Sequence, residues 1–236
     1  MRTADRTKGP AADRAGDRAL VRDVLAIAAA VGAVGVSFGA ITVAAGLPAW
    51  VVPAMGVLVF AGGSQFLAVG LMAAGNPVAA VLGGLLLNAR HLPFGLAVAG
   101  AVGDRWPAKL VGSHLLIDES VAFALAQPDP RRRRRAYWLT GVSLFVVWNA
   151  GSLLGVLLGS AVGDPAALGV DAAFPAGLLA LILPSLRDRE TRLVAGLGAV
   201  VAVLTTPVLP AGLPVLLALA GLLVLALPRF RRGEVA

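Results

Sequence analysis

Apolar runs long enough to cross a lipid bilayer fill this chain, and its charges are gathered between them. A helix needs about 20 apolar residues to span roughly 30 Å of hydrocarbon. Eight segments come close, at approximately 23–46, 49–74, 77–102, 107–126, 136–161, 174–187, 190–207 and 211–228. The sixth, FPAGLLALILPSL, is the shortest before Arg187 interrupts it. Composition agrees: 58% of the 236 residues are hydrophobic, 14% are charged, and the mean hydropathy is +0.85. Soluble domains carry about 45–50% apolar and about 25% charged residues. A chain this apolar would expose too much hydrocarbon to water, so a soluble enzyme is excluded. The reading is an all-α polytopic membrane protein of about eight transmembrane helices.

The net charge of +7 does not describe a nucleic-acid surface. All the basic residues but Lys8 and Lys109 are arginine, and all of these but Arg90 and Arg105 cluster before Asp23 and at 131–135, 187–192 and 229–232. Clusters bounded by apolar runs follow the cytoplasmic bias of lysine and arginine in membrane proteins. The five arginines at 131–135 read as a topology anchor that also meets anionic lipid. The connection 162–173 carries only Asp164 and Asp171, and 207–211 is uncharged, so both suit the outside. Eight crossings with both termini inside satisfy these assignments. One misfit remains: Arg105 and Lys109 fall outside on this count.

Residues 1–18 are polar and mixed in charge, with no apolar core of a removable signal peptide. They read as a cytoplasmic tail, followed by one transmembrane domain over 19–229 and a cytoplasmic tail over 230–236. The absence of cysteine excludes disulfides and thiolate metal sites. No cofactor is indicated.

Several segments carry helix-breaking residues near the middle: GVSFG at 35–39, AGGSQF at 61–66, LNARHLPFG at 87–95 and WNAG at 148–151. Backbone released at membrane depth must find partners within protein or a wet cavity. Glycine- or proline-interrupted segments point to midplane sites in secondary transporters. Segments one–two and five–six also echo each other, as a parallel repeat of four plus four would.

The ionisable residues within these segments carry the chemistry. Arg90 and His91 lie deep in the third segment, and a central arginine costs at least about 2.5–3.5 kcal/mol to insert. Asp118 and Glu119 lie in the middle of the fourth, so an Arg90–acid pair would offset the desolvation of both. Such a pair either locks two helices or relays a coupling ion. His91 also suits a pH-responsive role. His114 lies four residues before Asp118, on the same helix face, but the four groups match no defensible metal site. Ser37, Gly39, Ser64, Gln65, Asn88 and Asn149, near the glycine-rich interruptions, are candidates for binding the polar end of a small zwitterion, or else bond helices together. Phe38, Phe60, Phe66 and Trp148 would line an apolar pocket beside them. Asp171 suits the outer entrance. One alternative is an intramembrane serine hydrolase using Ser64 with His91 or His114; another is a transporter of a different small metabolite.

GVSFG, LVFAGGSQFLAVG, LLLNARHLPFG, the acids at 118–119, WNAGSLLGVLLG and LGVDAAF, in this order, resemble the AzlC family, the large subunits of bacterial branched-chain amino acid exporters. The resemblance runs from about Val36 to Phe174. Ile117 departs from it, standing where a small polar residue is expected. The resemblance implies outward movement of valine, leucine, isoleucine and methionine across the bacterial cytoplasmic membrane, coupled to the proton gradient. It also implies a small AzlD-like membrane subunit. Homo-oligomers remain open.

Overall fold

The computed structural model describes residues 10–161, 185–209 and 213–226, together with Leu179 and Leu183. Residues 1–9 of the N-terminal tail, the connection 162–173 with Asp171, most of segment 174–187, and the C-terminal arginines and tail lie outside the described residues. All described elements are helical: α1 (Pro10–Ala44), α2 (Val51–Leu58), α3 (Gly62–Ala73), α4 (Pro77–Asn88), α5 (His91–Val102), α6 (Trp106–His114), α7 (Asp118–Leu125), α8 (Pro130–Ala161), α9 (Arg189–Thr205) and α10 (Leu213–Leu217). Short 3₁₀ turns occupy Ser185–Arg187 and Ala218–Ala226. The chain divides into two compact units. One holds residues 1–39, 52–60 and 90–155; the other holds 40–51, 61–89 and 156–236.

Two helices, Gly16–Ala44 and Pro130–Ala161, are long and apolar enough to cross a membrane. A third counts if α4 and α5 form one broken span. The described helices thus supply two or three clear crossings, not plainly eight. Their outward residues suit hydrocarbon: Leu58, Leu92, Leu96 and Trp106 are all at least 70% exposed.

In the first unit, α1 and α8 run parallel. Leu20 and Val24 pack on Ala136 at one end, and further along Gly35 lies against Trp148 and Ser152. A Cβ on Gly151 would stand 2.5 Å from the Gly32 carbonyl oxygen, so this contact requires the bare backbone. GVSFG and WNAG therefore do not interrupt their helices, contrary to the sequence reading. Their small residues permit close approach, as at small-residue helix contacts in membranes. An intact helix ladder also leaves no backbone group for lipid to strand. Pro130 begins α8, where a proline loses no helical bond, and the Asp129 carboxylate accepts from Arg132 N at 3.0 Å.

The segment 107–126 is a hairpin rather than a crossing. Helix α6 runs antiparallel to α5, since Gly112 meets Val102 and Gly95 meets Leu116. Helix α7 runs parallel to α5: Arg90 reaches Asp118 at their starts, and Val98, Ala101 and Val102 cluster with Val121 and Ala124 towards their ends. At about 1.5 Å per residue, neither α6 nor α7 exceeds roughly 14 Å. The hairpin enters and leaves at the arginine end. The Arg134 guanidinium covers Gly103, after α5, and Arg133 Nη2 donates to Gln127 O at 3.2 Å, after α7. Arg105, at the N-cap of α6, therefore belongs to the same end as 131–135. The misfit of a basic connection on the far side disappears.

In the second unit, α3 and α4 form an antiparallel hairpin. Gly75 takes a positive φ of 79°, Asn76 caps α4 by accepting from Ala79 N at 3.0 Å, and Pro77 begins the helix. Gly83 lets Leu67 and Leu71 pack onto α4. Helix α9 lies against Ala218–Ala226, with Gly198 beside the Ala218 carbonyl.

Candidate functional site

The first unit places its ionisable residues at helix starts. The chain stops at Ala89–Arg90 and restarts with α5, whose third residue is Pro93. Proline cannot donate and fits only in a first turn, so LNARHLPFG breaks where its sequence suggests. Arg90 extends a fork to Asp118, with Nε to Oδ1 at 3.0 Å and Nη2 to Oδ2 at 2.8 Å. Two parallel charge-assisted bonds fix orientation as well as distance. The pair is not sealed off: the side chains are 34% and 49% exposed within the protein. Asp118 and Glu119 also occupy the first turn of α7, where carboxylates complement the helix dipole.

The interruption between α6 and α7 was not read from the sequence. Ile117 is extended, with φ −133° and ψ 166°. Ser120, fully buried, repairs the gap: its Oγ accepts from Ile117 N at 3.0 Å and lies 3.0 Å from the Leu115 carbonyl, to which it can donate. Tyr137 donates to the Gly112 carbonyl at 2.7 Å. The available signal was a serine two residues after an acid in an apolar run, at the third position of a helix that nothing else caps. At the hairpin tip His114 lies between Phe60 and Phe145, with ring centroids 6.2 and 5.7 Å away. Its Nε2 is buried without a hydrogen-bond partner among the described residues.

The remaining candidates of this unit are dispersed. His91 stands edge-on to Phe94, with centroids 6.3 Å apart. Ser37 donates to its own helix at Ala33 O, and Gly39 is buried within α1. Asn149 donates chiefly to Phe145 O at 2.8 Å, and its side chain fills the space left by the missing Cβ of Gly56. Phe38 stacks on Trp148 at 5.5 Å.

The second unit holds Ser64, Gln65 and Asn88. The break before α3 falls at Phe60–Ala61, and Phe60 takes a φ of +38°, alone among described non-glycine residues. That conformation is strained for a side chain with a Cβ. Ser64 therefore lies in the first turn of α3 rather than in the break, with Gly62 and Gly63 before it and no side chain capping the helix. Its hydroxyl meets Asn88 Oδ1 at 2.6 Å and Gly84 O at 3.3 Å. Gln65 is fully buried. Among the described residues no group of three or more His, Cys, Asp or Glu could hold a metal ion.

Interrupted helices, small-residue contacts and an ion pair at helix starts define a helical membrane protein whose polar groups are built into its apolar segments. The family model described as AzlC protein matches residues 26–162, and the chain belongs to that family. An uncharacterized membrane protein of Archaeoglobus fulgidus is 30% identical over 152 residues, covering 61% of this chain and 64% of that protein. The branched-chain amino acid transport protein AzlC of Bacillus subtilis is 28% identical over 129 residues, covering 53% of this chain and 51% of that protein. The matches thus span between half and two thirds of these curated relatives. No solved structure matches.

Proposed function

We propose that this protein is a secondary transporter that exports branched-chain amino acids across the cytoplasmic membrane of a bacterium. In this reading its arginine end and both termini face the cytoplasm, and a small AzlD-like membrane subunit completes the unit. The observation that carries the proposal is the forked Arg90–Asp118 pair at the starts of two half-helices, in a chain of the same family as a named branched-chain amino acid transport protein. An ionisable pair within apolar segments costs insertion energy and suits ion pathways and proton relays. Ser64, Gln65 and Asn88 offer neutral hydrogen-bonding groups for a zwitterion, with the uncapped start of α3 favouring its carboxylate. His91 and Glu119 join Arg90 and Asp118 in coupling. The protein acts as a transporter, without covalent catalysis at Ser64.

The test is efflux from cells lacking their own exporters, expressing this chain with the small subunit and loaded with a valine- or leucine-containing dipeptide. The expected result is faster release of the free amino acid, abolished by a protonophore. Gln65→Ala should slow release while leaving the amount in the membrane unchanged. Release equal to that of empty cells, with both proteins present, would remove the substrate assignment.

A further inference from the structure

A groove of about 440 Å³ opens at the arginine end of the first unit, lined by Asp17, Arg18, Val21, Arg22, Leu25 and Arg135. The five α1 residues fall at i, i+1, i+4, i+5 and i+8, which places them on one helix face. From Asp17 to Leu25 is about 12 Å along the axis. Asp17 and Arg18 begin the run, Val21 and Arg22 lie side by side one turn on, and Leu25 continues toward the crossing segment. Arg135, from α8, closes the charged end.

The acid in the groove is already engaged. Asp17 pairs with Arg135 and, at 3.8 Å, with Arg132. Arg22 reaches back to Asp23, yet its side chain remains 77% exposed, and that of Arg135 is 54% exposed. Three guanidiniums against Asp17 give the lining a formal charge of +2, which the Asp23 carboxylate beside Arg22 lowers to +1. Guanidinium groups match phosphate oxygens in geometry. Val21 and Leu25, 38% and 62% exposed, offer hydrocarbon on either side of Arg22.

We propose that this groove binds one anionic phospholipid, its phosphate held by Arg18, Arg22 and Arg135 and its acyl chain lying on Val21 and Leu25. Guanidiniums and exposed hydrocarbon side by side on one helix face select a lipid over a free anion. Only an amphiphile uses both. The proposal is independent of the transported substrate.

The test uses the full chain in detergent, given phosphatidylglycerol or phosphatidylcholine and weighed by native mass spectrometry. Wild type should retain phosphatidylglycerol preferentially, and 100-fold excess inorganic phosphate should not displace it. Arg18→Gln with Arg22→Gln should lower retention by roughly tenfold or more, from two arginine–anion contacts. Lys109→Gln with Arg131→Gln removes equal charge outside the groove and should change retention little. Equal losses from both pairs would replace the site with a diffuse basic collar. Displacement by phosphate, or no preference in wild type, would also overturn the proposal, the latter without depending on how any variant folds.

Discussion

Helices α1 and α8 continue unbroken through glycine-rich stretches, whereas the α4–α5 and α6–α7 segments stop and restart. Glycine content does not separate them, since α1 carries GAVG and GVSFG and α8 carries WNAGSLLG. The difference lies in what receives the backbone. Between α1 and α8, Gly35 and Gly151 face the other helix's backbone and Gly32 the Val147 side chain, so the helical bonds stay closed and the missing Cβ serves contact. At Ala89–Arg90 the following proline excludes a continuous ladder. At Leu115–Ile117, Ser120 and Tyr137 take up the groups that the break releases. At the α6–α7 break the freed groups have named partners, as backbone released within a membrane requires.

The largest effect should come from breaching the α1–α8 contact. Gly151→Leu places a side chain against the Gly32 carbonyl and should destabilise the protein by about 3 kcal/mol. Gly100→Ala, where nothing lies within 4 Å, should be neutral or stabilising by up to about 1 kcal/mol. Equal thermal unfolding of the two variants would erase the distinction between packing and permissive glycines.

Next in size is the ion pair. Asp118→Ala leaves Arg90 without its forked partner and should cost about 2 kcal/mol, less than the full central-arginine penalty because both side chains are partly exposed. Adding Arg90→Ala should restore much of that stability. Transport that returns along with stability would make the pair a structural clasp, and transport that stays lost would make it part of the coupling path.

Ser120→Ala should cost about 1–2 kcal/mol, because Ile117 N and Leu115 O lose a buried partner. Faster amide exchange confined to residues 115–121 would localise the loss to the hairpin tip, while unchanged exchange there would show that other groups hold the break. The smallest effect should come from Asp188, which caps α9 by accepting from Thr191 N at 2.7 Å and from the Thr191 hydroxyl at 2.8 Å. Chiefly the Thr191 backbone bond, then its hydroxyl bond, holds this carboxyl below its usual value. A depressed carboxyl stabilises the folded state above its unfolded pKa of about 3.9 and loses that contribution as pH falls through the lower folded value. Exchange at the first turn of α9 should therefore accelerate only in acid, beyond the intrinsic dependence shown by Asp188→Ala.

Much of this was legible in particular residues. Pro93 announced the α4–α5 break because a proline ring leaves the preceding turn no choice. Arg90 announced a partner because a guanidinium in the middle of an apolar segment is too costly alone, and two acids stood within reach. Ser37 and Asn149 were misread as lining interruptions because a glycine that permits a bend and a glycine that permits contact look alike in one dimension.

Helicity, residence in a membrane and the gathering of charge follow from the order of residues alone, because hydrocarbon length and desolvation act on each segment separately. Helix packing settles that 107–126 returns to the arginine end, that Arg105 belongs there, and that Asp118 receives Arg90. Those outcomes depend on which helix a neighbour packs against, and apolar composition is the same for a segment that crosses and one that turns back.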